Sequence, residues 1–387
     1  LFGVRVAHNR LSASDAAHLT PPGLGHPSLH FRNRTMLRAQ LLDLASHGHR
    51  VPIGADLVLH GHPDAEAILS DGAQLGAVVA ETAERFGTPL AFPIMDLRLE
   101  KAELLRFFGV PAGEVETFHF ATAPSAERRR EYARCAGAME PSARVAANLG
   151  ALRHVARQPG LLPVGMCIGP FSLTTKLMAD PITPVCMAGA GIGAEDDEGV
   201  ALLEACLELS LACVLVQAER ALEAGAKAVF VAEPAANQIY FSPLQLAGGS
   251  DIFERCVMEP NRRIAELLAG RDADLLFHCC GEITDAMLES FGSLRPSLLS
   301  LGSSRRLWED AARVPKDTVL YGNLPSKLFY SDATMPQSRV AEQSSDLAAR
   351  MAACGHPFIL GTECDTLHVP EHAATIRAKV DCLLGRA

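Results

Sequence analysis

Residues 227–281 read KAVFVAEPAANQIYFSPLQLAGGSDIFERCVMEPNRRIAELLAGRDADLLFHCCG. The segment opens on a short apolar, β-branched run and passes through a polar loop. It continues as VMEPNRRIAELLAG, with apolar positions at helical spacing, and a glycine stops that pattern. A second apolar run, ADLLFH, follows at once. Strand, helix and strand in succession describe one β/α unit of a parallel sheet.

The same alternation recurs along the chain. Apolar runs fall at Val51–Leu57, Leu90–Asp96, Leu162–Ile168 and Lys227–Ala232, then at Ala273–His278, Ser297–Leu301, Thr318–Gly322 and Pro357–Gly361. Each is nearly continuous, as strands buried on both faces require. Eight such units predict an α/β fold, a (β/α)8 TIM barrel forming one domain over residues 1–387. The 387 residues exceed a minimal barrel and leave room for two additions. One is an N-terminal helical extension over residues 1–50, with the barrel over 51–387. The other is an insertion after strand two, at about 110–160. A doubly wound open sheet usually carries a glycine-rich phosphate loop; GAGIGAED (189–196) does not fit GxGxxG and follows no clear strand.

Composition narrows the function classes. Hydrophobic residues make up 48% and charged residues 21%, with a mean hydropathy of +0.13, enough apolar material for a full core. The net charge of −10 and the lack of a basic run speak against nucleic acid as a partner and against a membrane-surface helix. No uninterrupted apolar stretch reaches the roughly 18 residues of a spanning helix. The first residues, LFGVRVAHNRLSASD, carry no signal-peptide core, since Arg5, His8 and Asn9 interrupt it. Eleven cysteines scattered over a long chain are not a disulfide framework, so reduced thiols and a cytoplasmic location are expected.

In a barrel, chemistry gathers at the C-terminal ends of the strands. Strand five runs into His278-Cys279-Cys280-Gly281 and strand eight into Gly361-Thr362-Glu363-Cys364-Asp365. His278, Cys280 and Cys364 are the candidate metal ligands: one imidazole and two thiols suit Zn²⁺ and leave its fourth position open. Cys279 points the other way along a strand and reads as packing. Buried cysteines are also common as small core residues; shared location at the mouth is what singles out this set. Glu363 and Asp365 are candidates for the fourth position. Of the other polar residues at strand ends, Glu233 and Asp96 are candidate catalytic groups, and Asn323 and Glu100 candidate substrate-binding groups. Each acid also has an ordinary explanation as a helix N-terminal charge, worth about 0.3–1 kcal/mol. The H-G-H triplets at 47–49 and 60–62, with His26 and His30, fit solvated loops better than a second metal site. His368 and His372 read as surface or supporting residues.

These motifs resemble a known family. His278-x-Cys280-Gly281 with a late Cys364 is similar to the zinc motif of cobalamin-dependent methyltransferases in the uroporphyrinogen decarboxylase superfamily, such as methylcobamide:coenzyme M methyltransferases. Supporting similarity runs through FPIMDLRLEKAELLRFFG (92–109), GPFSLTTKLM (169–178), VFVAEPAA (229–236), LFHCCGEITDAML (276–288), YGNLPSKLF (321–329) and ILGTECDTLHVPEHAATIRAKV (359–380). The resemblance implies zinc as cofactor and a corrinoid, methylcobalamin on a partner corrinoid protein, as co-substrate. It also implies a small methyl acceptor, a thiol or a tetrahydrofolate-type amine. The decarboxylase branch carries an arginine segment after its first strand, whereas VLHGHPDAEAILSDG (58–72) has no arginine. A third possibility is a zinc- or thiol-binding protein without turnover.

Overall fold

The alternation of side chains along the strands sorts the core into two layers. In the computed structural model, which describes residues 36–386, the strands are β1 (Arg50–Val51), β2 (Leu90–Ala91), β3 (Leu162–Ile168) and β4 (Ala228–Ala232). They continue with β5 (Asp274–Cys279), β6 (Leu298–Leu301), β7 (Val319–Leu324) and β8 (Phe358–Thr362). The ladders described are all parallel, in the order β1-β8-β7-β6-β5-β4-β3-β2. The first strand thus pairs with the last, as in a sheet curled into a barrel; in an open doubly wound sheet it would lie inside the order. Among the described residues no ladder joins β1 to β2.

Val164, Phe230, Leu276, Leu298, Tyr321 and Ile359 pack together as the barrel interior. Their strand neighbours, such as Val229, Phe277, Cys279, Leu299 and Leu360, belong to the layer between sheet and helices. Within the expected extension over 1–50, the described part holds a helix, Met36–Ser46, and residues 1–35 lie outside the described residues. Its Leu37, Leu41 and Leu44 join the interior cluster. Arg38 of this helix donates to the carbonyls of Asp317 and Arg295, just ahead of β7 and β6. The helix therefore closes the N-terminal end of the barrel, opposite the mouth.

β3 to β8 start and stop within two residues of the predicted runs, whereas β1 and β2 are far shorter than 51–57 and 90–96. Pro52 and Pro93 follow the two strands closely and have no N–H to give a ladder. Side chains take over at β1: Thr362 Oγ1 accepts from Ile53 N at 3.1 Å, and Tyr321 Oη donates to Val51 O at 2.6 Å. Residues Ala55–Leu59 turn into a helix instead of continuing the strand.

The insertion between β2 and β3 holds helices Ala126–Cys135 and Ala143–Val155. The long helix Glu198–Glu223 contains a window of mean hydropathy 2.1, apolar enough by length and composition to cross a membrane. Half of that window is buried, and its Leu203, Cys206, Cys213, Val214 and Ala218 are core residues of the outer layer.

Candidate metal centre

His278 is the fifth residue of β5, opposite Ala232 on β4 and Ser300 on β6. Two-residue alternation puts His278 and Cys280 on the barrel side and sends Cys279 outward, where it is fully buried and its thiol is pushed up by burial. β8 delivers Cys364 two residues past its end. The ligand atoms of His278, Cys280 and Cys364 all lie within 4.8 Å of one another. Sequence positions 84 apart are thus joined by the closure of the barrel.

The His278 ring is held on two sides. It stacks on Phe230, centroids 5.3 Å apart. Its Nδ1 lies 2.8 Å from Ser300 Oγ, a distance at which an Nδ1-protonated ring donates to the hydroxyl and keeps a lone pair on Nε2. That Nε2 is buried without a hydrogen-bond partner. A buried nitrogen with no partner is costly unless something binds it, and beside two thiols a soft metal ion is the chemically matched occupant.

Cys280 is seated by close backbone approach. A side-chain carbon at Gly281 would sit 2.6 Å from Asn237 Cβ, and one at Gly302 would sit 2.5 Å from the Cys280 carbonyl oxygen. Glycine at both positions lets the loops after β4 and β6 close on the cysteine. The two thiols lie close enough to influence each other, their sulfurs within 4.8 Å. The hydrogen bond from Cys364 pulls Cys280 down to about 3 against the opposing effect of burial, helped by His278 and Lys327. The same bond, with burial, pushes Cys364 up. Lowering of this kind favours the thiolate form that a metal takes.

Two further residues at the centre had no signal in the sequence. Ser300 orients His278, and only strand register reveals it. Lys327 follows β7 in a one-turn helix, Ser326–Leu328, and against the opposing effect of burial its pKa is raised by the nearby charges of Cys280, Cys364 and Glu363. Ser326 Oγ ties this turn to Cys364 by donating to its carbonyl at 3.1 Å.

Glu233, Asp96 and Asn323 are bound into the scaffold, and Glu100 is bound by one of its two oxygens. Glu233 is fully buried and takes up the N-terminus of helix Pro170–Leu177. It accepts from Ser172 N at 2.5 Å, Phe171 N at 3.3 Å and Asn261 Nδ2 at 3.0 Å. Its pKa is raised by burial against these hydrogen bonds. Asp96 pairs with Arg98 at 2.8 Å and Arg144 at 3.0 Å. Burial opposes its ionisation, but the arginines outweigh it and hold the carboxyl low. Glu100, one helical turn on, is pushed up to about 8, chiefly by burial. Its Oε1 accepts from Ile168 N at 3.3 Å, and Oε2 has no partner. Asn323 donates to the carbonyls of Gly302 and Arg305 at 2.8 and 2.9 Å, holding the loop after β6 beside Cys280.

Of the two candidates for a fourth ligand, Glu363 accepts from Ser303 Oγ at 2.6 Å and Ser303 N at 3.1 Å. Both oxygens of Asp365 are buried without a partner, and burial with the neighbouring Asp56 charge raises it to about 7. Neither joins the three donors within ligand distance. The histidines of 47–49 and 60–62 disperse. His47 faces Asp43, His60 pairs with Asp56 and stacks on His368, and His62 meets Glu81. His372 packs near Tyr330. His26 and His30 lie outside the described residues.

A parallel barrel with a His/Cys/Cys set at its C-terminal mouth defines the class of molecule. The family model for uroporphyrinogen decarboxylase (URO-D) matches residues 122–382, about two thirds of the chain, and the protein belongs to that family. Among solved structures, the fold is similar to a methyltransferase from Methanosarcina mazei, with a TM-score of 0.61 and 16% identity. The match covers 90% of this chain and 98% of that one. At that identity the likeness is one of fold. No match was found among the curated proteins.

Proposed function

We propose that this URO-D family protein is a methyltransferase that holds zinc on His278, Cys280 and Cys364. It would move a methyl group between a corrinoid and a small acceptor, a thiol or a tetrahydrofolate-type amine. The observation that carries this reading is the convergence of the three donors within 4.8 Å, with His278 Nε2 buried and partnerless. The solved neighbour described as a methyltransferase agrees with it.

The donor chemistry fits zinc, which would supply the Lewis acidity that keeps an acceptor thiol ionised at neutral pH. The chain's own residues supply the rest. Ser300 fixes the tautomer and angle of His278, as outer hydrogen bonds do for histidine ligands. Cys280 and Cys364 would bind as thiolates and would release their thiol protons on doing so. Glu233 and Asn323 act through the backbone, fixing the loops after β3 and β6. Glu100, pushed up to about 8, holds a proton at neutral pH beneath the β3 end, while Asp96 stays ionised against its arginines.

A corrinoid protein as partner has support in the surface. The large exposed apolar side chains among the described residues are Ile182, Ile239, Leu244, Leu328, Tyr330 and Leu367. All lie in connections leaving the C-terminal ends of β3, β4, β7 and β8. Apolar residues gathered around a mouth suit a docking protein. The cytoplasmic setting is supported by the cysteines, all of which are free.

The family's name favours a second reading, metal-free decarboxylation of a tetrapyrrole. Against it stand the arginine-free segment 58–72 and the thiol pair.

The test is methyl transfer from methylcobalamin, followed by its visible spectrum, to 2-mercaptoethanol, 2-mercaptoethanesulfonate, homocysteine and tetrahydrofolate. Zinc-dependent consumption of methylcobalamin with at least one acceptor is expected. Decarboxylation of uroporphyrinogen by chelator-treated protein, with no transfer to any acceptor, would overturn the proposal.

A further inference from the structure

Buried polar atoms without a hydrogen-bond partner gather in one short stretch, Asp365–His368. They are both carboxyl oxygens of Asp365, Thr366 Oγ1 and His368 Nδ1. Asp365 is 6% exposed and Thr366 1%, so water does not meet these groups. Such groups cost stability, and a native fold that keeps several side by side has a use for them. The stretch is firmly held. Thr366 N donates to Ile53 O at 2.8 Å, and His368 N donates to Asp56 Oδ2 at 2.7 Å. The His368 ring stacks on His60, centroids 4.7 Å apart. Leu367, 59% exposed, brings the stretch to the surface.

The stretch begins at the residue after Cys364, and consecutive Cα atoms are about 3.8 Å apart. A small molecule held at the centre by one end can therefore reach Asp365 with the other. The chemistry waiting there is that of acceptors: two carboxyl oxygens, with a hydroxyl on the next residue. The group that complements them carries several N–H donors and a positive charge, as a protonated amine does. We infer that Asp365, backed by Thr366, recognises an ammonium group on the methyl acceptor, so that the acceptor is a small amino thiol. The inference rests on the metal-centre reading above and adds a substrate class to it. It also accounts for an acid buried without a partner: the bound molecule supplies the missing donors.

The test uses the full chain loaded with cobalt(II), whose thiolate charge-transfer band reports sulfur binding without turnover. Wild type, Asp365→Asn and Thr366→Val are titrated with cysteamine, 2-mercaptoethanol and 3-mercaptopropionate. These two-carbon thiols end in an ammonium, a hydroxyl and a carboxylate. Wild type should prefer cysteamine to 2-mercaptoethanol by about tenfold, and bind 3-mercaptopropionate weakest. In Asp365→Asn the preference should shrink to about twofold or less, and 3-mercaptopropionate should gain on the other two. Thr366→Val should reduce the preference by a smaller factor. The urea midpoint of Asp365→Asn should be no lower than that of wild type, since the change removes an uncompensated buried acid. A residue kept for structure alone would lose stability there. No preference in wild type, or a preference that survives both substitutions, as amine binding to the metal itself would give, overturns the inference and leaves the metal centre standing. Failure of wild type to bind cobalt overturns the metal centre and this inference with it.

Discussion

The mouth of the barrel has two unlike halves. At the ends of β5 and β8, three side chains converge with donor atoms left over: a partnerless imidazole nitrogen and two thiol sulfurs. At the ends of β2 and β4, Glu233 and Asp96 have spent their chemistry on the protein, while Glu100 keeps one buried oxygen without a partner. Glu233 accepts from a helix N-terminus, and Asp96 is clasped by two arginines. Both halves look alike as polar residues after apolar runs. What separates the His278–Cys280–Cys364 set from Glu233 and Asp96 is whether the polar atoms already have partners.

The comparison can be broken most forcefully at Glu233. Replacing it with Ala strands the buried N–H groups of Phe171 and Ser172 and the amide of Asn261. A loss of about 3 kcal/mol in urea-unfolding stability is expected, with metal content per folded chain unchanged. A stable variant with lost metal would move Glu233 into the centre.

Ser300→Ala tests the other half. It should leave stability nearly intact but lower zinc affinity by about tenfold or more, because His278 loses the partner that fixes its ring. Competition with a chromophoric chelator measures this. Unchanged affinity would mean the ring is held by Phe230 stacking alone.

Glu100 and Asp96, four residues apart, should respond to pH with opposite signs. The Glu100 pKa is raised to about 8 from an ordinary 4.5, so between those values the unfolded chain ionises while the native one keeps its proton. Stability therefore falls as pH rises through that window. Glu100→Gln should remove this slope and be the more stable protein at pH 8, by about 1–2 kcal/mol. Asp96 is shifted down, so its contribution is present above its unfolded pKa and is lost as pH falls through the lower folded value. Asp96→Asn should cost under about 1 kcal/mol at pH 7, since Arg98 is largely exposed. Parallel pH–stability profiles for wild type and Glu100→Gln would contradict the account of the buried acid.

Much of this was legible in the sequence, and the gaps have physical causes. Runs such as LPVGMCI and PFILG mark strands because burial on both faces demands continuous apolarity. VPIGADL and LAFPIMD satisfy the same pattern, yet their prolines end the ladder after two residues. His278, Cys280 and Cys364 could be picked out because strand alternation and barrel closure are general rules. Ser300 and Lys327 could not: one depends on register with β5, the other on a turn pinned by Ser326 to a carbonyl 38 positions away. Nor could the fate of Glu233 be seen, since Ser172 and Asn261 are 61 and 28 positions distant.

The most direct test of the central claim is the zinc content of the purified protein, measured beside His278→Ala and Cys364→Ser, with folding checked by circular dichroism. About one zinc per chain in the wild type, lost in both variants while the fold persists, is the predicted result for a three-donor site. A folded wild type that takes up no zinc even when it is supplied would contradict the account.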